Sequence, residues 1–144
     1  MNNQSLNDLT HIINEVDGDL GVIEFEFLPF LPKRFFWLKG VDNNTTRANH
    51  AHRTCHQLLV CQQGTVTATV TSGDGMVSVH EMGIGSTIYL MPLYWLELTK
   101  FSADSVIGVF ASEPYKLGEY ITKKEELLEL WRHKHGLKNQ FEVQ

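Results

Sequence analysis

The stretch from Arg47 to Gln57, RANHAHRTCHQ, concentrates side chains that can move protons or bind metals. It holds three histidines, two arginines and one cysteine in eleven residues. An imidazole titrates near neutral pH and can ligate a metal through either ring nitrogen. His50 and His52 are two residues apart, so on an extended strand both side chains point to the same face. The pair therefore predicts a single site, for metal binding or for proton transfer.

The elements that must position this pair read as strands. Residues 65–70 (TVTATV) and 76–80 (MVSVH) alternate apolar and polar side chains with β-branched residues, as half-buried strands do. Between them, SGDG predicts a hairpin turn, because Asp and Gly accept the positive backbone angles of tight turns. Further strands are predicted at 21–27, 34–40, 56–63, 86–91, 94–101 and 105–112. Many short strands with regular turns indicate an all-β sandwich or barrel.

The two ends of the chain have a different pattern. Apolar residues recur at intervals of three and four toward the C-terminus, which predicts an amphipathic helix over 117–135, ended by Gly136. The residues that set this spacing are Leu117, Tyr120, Ile121, Leu127, Leu128, Leu130 and Trp131. At the N-terminus, Leu6, Leu9, Ile13 and Val16 suit a helix, whereas THIIN suits a strand, and the sequence leaves both open.

Composition narrows the class of protein. A length of 144 residues without repeats or linkers predicts one domain over 1–144. A net charge of -5 without a basic patch makes nucleic acid an unexpected partner, and no apolar run approaches the ~20 residues that span a membrane. Cys55 and Cys61 match no zinc or redox spacing. We expect two free thiols in a cytoplasmic protein, since the N-terminal residues do not form a secretory signal.

The residues that follow the histidine pair help to decide whether the pair binds a metal or transfers protons. In a β-rich chain, His50 and His52 followed by Gln57 and Gly64 resemble the first motif of the cupin superfamily. Metal-binding cupins carry Glu at the position of Gln57, and their second motif adds a histidine where this chain has Leu96. Two imidazoles and an amide are a poor ligand set for zinc or iron. We therefore expect no catalytic metal, and His56 would join the pair only through an irregular strand.

A more specific resemblance covers about Asp17 to Ile121. Arg-x-x-His-Ala-His, from Arg47, is followed by Gln-x-Leu-Val-Cys-x-x-Gly from Gln57, and KFSADSVIGVFAS and EYI come later in the chain. In this order the chain resembles the sugar-nucleotide 3,4-ketoisomerases of the FdtA and QdtA type, which are WxcM-like cupins. The resemblance implies a cupin jelly roll that forms a homodimer and uses neither metal nor cofactor. It also implies that the substrate is a thymidine-diphosphate-linked (dTDP-linked) 4-keto-6-deoxyhexose. Its keto group would move from carbon 4 to carbon 3, ready for a pyridoxal-phosphate aminotransferase.

The same resemblance assigns roles to residues. His50 is expected to be the catalytic base and His52 its partner, because proton transfer beside a ketone suits an imidazole with a pKa near neutrality. Arg34 and Arg47 are expected to hold the diphosphate or the developing oxyanion. The remaining predicted substrate contacts are Gln57, Trp37, His56, Tyr94 and Trp95.

The chain departs from the family where a proton relay would lie. The family commonly has tyrosines in the strand after Lys33-Arg34, whereas this chain has Phe35, Phe36 and Trp37. Phenylalanine has no hydroxyl to pass a proton. Tyr94 or His56 is the predicted replacement. Two alternatives stay open: a sugar-nucleotide-binding protein without turnover, and a related isomerase or epimerase.

Overall fold

The computed structural model describes residues 9–136, and most of them lie in antiparallel strands. The strands are β1 (Thr10–Glu15), β2 (Gly18–Ile23), β3 (Arg34–Lys39), β4 (Arg47–His52), β5 (Gln57–Gln63), β6 (Val66–Ser72), β7 (Val77–Met82), β8 (Thr87–Leu90), β9 (Tyr94–Thr99), β10 (Val106–Ala111) and β11 (Tyr120–Ile121). One helix, α1, covers Lys124–Lys134. Except for 21–27, the predicted strands agree with these bounds to within two residues.

Two sheets form a jelly-roll sandwich, as the sequence predicts. One has the strand order β3-β10-β5-β8 and the other β11-β4-β9-β6-β7, while β1 and β2 form a separate hairpin. The main core lies between the sheets, because its members come from both: Leu59 and Val109 from the first, Val66 and Leu98 from the second. The all-β fold class with a short C-terminal helix is confirmed.

Strand alternation decides which side chains face this core. In β6, Val66, Ala68 and Val70 are all buried in the main cluster. In β3, every second residue is half-buried and the others are exposed. The predicted turn between β6 and β7 is present, since Met76 donates its N–H to the Ser72 hydroxyl at 3.1 Å and Gly75 has a φ of +93°. The alternation therefore sets two chemically different faces on each sheet.

The predicted helix over 117–135 is wrong at its start. Leu117–Glu119 form a 3₁₀ turn, and Tyr120–Ile121 form β11, which pairs with β4. Ile121 is fully buried in a second core cluster with Ala51, Trp95 and Leu127. The apolar residues of β11 and those of α1 together have the spacing of one long helix. This coincidence explains why the sequence predicts a helix that begins too early. Within residues 9–136, no helix is long and apolar enough to cross a membrane.

The N-terminal segment adopts the strand alternative. β1 pairs antiparallel with β2, from Thr10 opposite Ile23 to Glu15 opposite Gly18. The strand predicted at 21–27 ends at Ile23, and Phe25–Phe27 form a 3₁₀ turn instead. Residues 1–8, including Leu6 of the helix alternative, lie outside the described residues.

The two cysteines are both buried and free, in agreement with the sequence prediction. Cys55 precedes β5 and Cys61 lies within it. Each packs inside the sandwich as a small apolar side chain.

Gly64 has a conformation and a location that glycine alone satisfies. It has a φ of +72°, and a Cβ there would lie 2.2 Å from the Ser102 hydroxyl and 2.8 Å from the Ser105 Cα. Gly40 is a matched control, because its φ is +69° but no atom of the described residues lies within 4 Å of a Cβ there. We expect Gly40→Ala to lower the free energy of unfolding by about 1–2 kcal/mol through backbone strain. Gly64→Ala should cost about 1–3 kcal/mol more through overpacking, as measured by urea unfolding. Equal losses would contradict the assigned clash.

Candidate active site

A cavity of about 170 Å³ lies between the two sheets, around His50. Its walls combine β4, β9 and β11 of one sheet with β3, β5 and β10 of the other. The lining residues are Phe36, Leu38, Arg47, Ala48, His50, Gln57, Leu59, Leu96, Leu98, Val109 and Tyr120. The cavity is therefore mainly apolar with a few polar groups, as ligand pockets usually are.

A bulge in β4 directs His50 into this cavity. Ala48 and Asn49 both have positive φ angles, +65° and +60°, and the pairing of β4 with β9 shifts between Ala48 and His50. Such conformations cost on the order of 1–3 kcal/mol for residues other than glycine, and bulges of this kind often re-aim a side chain beside a functional site. The backbone is thus strained at the residues that lead into the histidine pair.

The hydrogen bond of His50 decides which ring nitrogen is free. Its Nδ1 lies 2.9 Å from the carbonyl oxygen of Ala48. A carbonyl can only accept, so Nδ1 carries the proton and the neutral ring keeps its lone pair on Nε2. Burial lowers the pKa of His50 below its ordinary value, against the opposing effect of the Ala48 bond. His50 is therefore an uncharged base at neutral pH.

His52 lies beside this half-buried ring and is itself buried. The two ring centroids are 5.0 Å apart, which confirms that the pair shares one face. His52 is only 2% exposed, and within residues 9–136 neither of its ring nitrogens has a hydrogen-bond partner. Burial, and to a lesser degree the neighbouring His50, lowers the pKa of His52 to about 4. Both nitrogens are shielded from solvent, and His52 itself is not among the described residues that line the cavity.

Tyr120 is a site residue that sequence reasoning missed. Its ring centroid is 4.8 Å from that of His50 and 4.9 Å from that of His52. Tyr120 lies in β11, directly opposite His52 in the sheet. The predicted helix over 117–135 placed this residue on a helix and away from the histidine pair. The signal that could have found it is EYI, which belongs to the family resemblance and fits a strand.

Glu119 fixes the position of Tyr120. Its carboxylate accepts hydrogen bonds from the backbone N–H groups of Thr54 and Cys55, the latter at 2.8 Å. Its own carbonyl accepts the N–H of Arg53 at 3.0 Å. Burial alone would raise the pKa of Glu119, but these donors outweigh burial and keep the pKa below its ordinary value. The strand that carries Tyr120 is therefore held to the end of β4 by a charged, well-satisfied contact.

Of the other predicted residues, Gln57, Arg47 and Arg34 lie at or beside the cavity. Gln57 is 5% exposed and lines it, and Arg47 lines it from an exposed position. Arg34 is half-buried, with its guanidinium 5.2 Å from the Phe36 ring centroid. Its buried Nε has no hydrogen-bond partner among the residues that the structure describes. Its charge also acts to lower the pKa of His52, so Arg34 is close enough to influence the site.

Trp37, Trp95 and Tyr94 do not line the cavity, contrary to the prediction. Trp37 is 61% exposed, because Phe36 and Leu38 take the inward positions of β3. Trp95 is buried on the opposite side of β9 from Leu96, in the cluster that packs against α1. Tyr94 packs edge-on against Trp131 at 5.5 Å. Strand alternation is the physical reason for Trp37 and Trp95. Tyr94 shares the face of Leu96 but lies at the start of β9, where it packs against the main core and Trp131.

His56 also lies outside the cavity. Its Nδ1 is 2.5 Å from the Tyr89 hydroxyl, and its ring stacks with that of Tyr89. Burial lowers the pKa of His56 below its ordinary value. His56 thus forms a separate pair with Tyr89 and does not join His50 and His52.

The donors around the histidine pair do not fit a metal. In the part of the chain that the structure describes, no three His, Cys, Asp or Glu side chains are grouped to hold an ion. The cavity side of the pair offers the Gln57 amide and the apolar Leu96. Zinc and iron sites commonly use three or four His, Cys or carboxylate ligands.

Comparison with known proteins gives one consistent result. Residues 2–132 match the family model described as FdtA: WxcM-like, C-terminal. The chain is 28% identical over 121 residues to TDP-4-oxo-6-deoxy-alpha-D-glucose-3,4-oxoisomerase of Aneurinibacillus thermoaerophilus, with coverage of 84% of this chain and 86% of that enzyme.

Comparison with solved structures also finds 3,4-ketoisomerases. The 3,4-ketoisomerase QdtA of Thermoanaerobacterium thermosaccharolyticum, in complex with TDP, superimposes with a TM-score of 0.80 at 30% identity, covering 87% of this chain and 92% of that one. A QdtA variant with one histidine changed to asparagine was crystallised with TDP-4-keto-6-deoxyglucose. The WlaRB TDP-quinovose 3,4-ketoisomerase of Campylobacter jejuni gives a TM-score of 0.78 at 25% identity, covering 85% of this chain and 95% of that one.

The buried, uncharged His52 makes stability depend on pH. Its pKa falls from 6.5 to about 4 on folding, so between these values the unfolded chain binds a proton that the folded chain does not. The contribution of the neutral His52 to the free energy of unfolding is therefore fully present above pH 6.5 and is lost as the pH falls toward 4.

We expect His52→Asn to remove on the order of 2 kcal/mol of the stability difference between pH 7.5 and pH 5, measured by urea unfolding. His11→Asn, at an exposed position, is the control. An unchanged pH dependence in His52→Asn would contradict the burial of a neutral imidazole.

Proposed function

The chain belongs to the FdtA family of WxcM-like domains, and we propose that it is a 3,4-ketoisomerase of TDP-linked sugars. It moves the keto group of a TDP-4-keto-6-deoxyhexose from carbon 4 to carbon 3. The observation that carries this proposal is His50, a half-buried neutral imidazole in the cavity with its Nε2 lone pair free. The QdtA and Aneurinibacillus relatives, which are named for this reaction, support the substrate class.

The size of the cavity indicates which part of the substrate it holds. A volume of about 170 Å³ is below the ~300–1,000 Å³ of pockets that enclose a whole drug-sized ligand. We infer that the hexose enters the cavity and that the nucleotide lies outside it. Arg47 is exposed at the cavity wall, where a guanidinium can pair with a diphosphate.

The residues in the cavity fit the chemistry of the first step. His50 Nε2 takes the proton from carbon 3, and the electrons move to the oxygen on carbon 4, which gives an enolate. The lowered pKa of His50 keeps the free base populated at neutral pH. The nearby Arg34 charge stabilises the developing oxyanion, and His52 packs against His50 as a buried, uncharged ring. Returning the proton to carbon 4 completes the transfer between carbons.

We propose that no metal or cofactor takes part and that the 3-keto product feeds an aminotransferase. Hydrogen bonds and charge from the chain's own residues are sufficient for a step of this kind. The buried free thiols of Cys55 and Cys61 are compatible with a reducing compartment, and we propose the cytoplasm.

We also propose that the chain acts as a homodimer. An aromatic patch covers the outer face of β3 and β10 and consists of Phe25, Phe35, Trp37 and Phe110. Phe25, Phe35 and Trp37 are 51%, 43% and 61% exposed. Contiguous exposed apolar surface of this kind commonly marks a protein interface, and here it lies on the sheet face away from the cavity.

The activity is tested with TDP-4-keto-6-deoxyglucose in heavy water. Wild type should form the 3-keto product with deuterium from solvent, whereas His50→Asn should lose about 10²- to 10⁴-fold in kcat because it lacks a base. Product and exchange are followed by NMR spectroscopy. His80→Asn on β7 is the control and should keep full activity. Saturable TDP-sugar binding without exchange by wild type would instead identify a binding protein without turnover.

The dimer is tested with a charge in the aromatic patch. Trp37→Glu should convert a wild-type dimer to monomer in sedimentation velocity, because burying an unpaired carboxylate opposes association. Val79→Glu is the matched control, since Val79 on β7 is 60% exposed, close to the 61% of Trp37. A monomeric wild type, or a Trp37→Glu variant as dimeric as Val79→Glu, would contradict the proposed interface.

A further inference from the structure

The proposed reaction needs a second proton transfer that His50 does not explain. Moving a keto group from carbon 4 to carbon 3 carries one proton between carbons and another from the oxygen on carbon 3 to the oxygen on carbon 4. His50 has one free nitrogen, which is assigned to the carbons. A second group is therefore required, with a hydroxyl or another atom that both donates and accepts.

The residues first considered for this role are not placed to perform it. Phe36 faces the cavity but has no hydroxyl, and Trp37 lies on the outer face of the same strand. Tyr94 packs on Trp131, and His56 is bonded to Tyr89. None of the last three lines the cavity.

Tyr120 meets the requirement. Among the described residues that line the cavity it is the one tyrosine, and its ring contacts both imidazoles at centroid distances of 4.8 and 4.9 Å. Its strand is held in place by the pairing of Tyr120 with His52 and by the hydrogen bonds of the Glu119 carboxylate. Neither ring nitrogen of His52 is bonded to the Tyr120 hydroxyl, so that hydroxyl is not committed to the imidazole beside it. A phenol both donates and accepts a hydrogen bond.

We propose that Tyr120 is a catalytic residue that carries the proton between the two sugar oxygens, an inference that rests on the ketoisomerase activity proposed above. After His50 removes the proton from carbon 3, the enolate oxygen on carbon 4 takes the phenolic proton of Tyr120. The resulting tyrosinate removes the proton from the hydroxyl on carbon 3. The carbon 3 carbonyl forms as His50 returns its proton to carbon 4. Both residues end as they began, and no oxidant or cofactor is consumed.

Tyr120→Phe separates the two transfers. The variant keeps the ring contacts with both histidines and His50 as a base but lacks the hydroxyl. We expect formation of the 3-keto product to fall about 10²- to 10⁴-fold, the usual contribution of one general acid–base group. Deuterium entry at carbon 3 of recovered substrate should fall much less, because the enolate still forms and reverts. The ratio of exchange to product formation therefore rises at least tenfold above that of wild type.

The matched control is Tyr89→Phe, which removes a phenolic hydroxyl outside the cavity and should leave both rates unchanged. Binding of TDP by Tyr120→Phe is measured alongside. Product formation within threefold of wild type would overturn the role of Tyr120, as would equal losses of exchange and product, which are expected of a merely structural residue. An inactive wild type would instead refute the proposed function itself, so the two failures are distinguishable.

Discussion

The pairing of β11 with the end of β4 is the contact on which the arrangement of this site depends. It places Tyr120 opposite His52 and Ile121 opposite Ala51, so one short strand contributes both to the cavity and to the core beneath α1. The Glu119 carboxylate secures the contact by accepting backbone N–H groups that the turn after β4 would otherwise leave unpaired. Charge-assisted hydrogen bonds of this type are stronger than neutral ones. Without this pairing, the two histidines would lack their aromatic neighbour.

Burial determines the chemistry of the histidine pair. Desolvation lowers the pKa of both imidazoles, and the two ring nitrogens of His52 have no hydrogen-bond partner in the described part of the chain. Unpaired buried polar groups and a strained bulge at Ala48 and Asn49 reduce stability. The same bulge accompanies a neutral His50 that lines the cavity, with the uncharged His52 packed beside it. Stability is thus lowered at the residues that the reaction needs.

The two faces of each strand have different roles in the molecule. The inner face of β3 contributes Phe36 and Leu38 to the cavity, and its outer face contributes Phe35 and Trp37 to the aromatic patch. In β9, Leu96 faces the cavity, whereas Trp95 lies in the core below α1. Catalysis and the proposed association therefore use the same strands without sharing side chains, since successive residues point in opposite directions.

Local patterns made much of this protein predictable from its sequence. Strand alternation, the SGDG turn and the shared face of His50 and His52 depend on residues within a few positions of each other, and each was predicted. The type of reaction was predicted from the family resemblance. Tertiary structure alone decided that Trp37, Trp95, Tyr94 and His56 lie outside the cavity and that Tyr120 lies inside it. A strand pattern does not say which of its faces a second sheet will cover. Likewise, the apolar spacing of Tyr120 and Ile121 fits a helix as well as a strand, and only pairing with the distant β4 selects the strand.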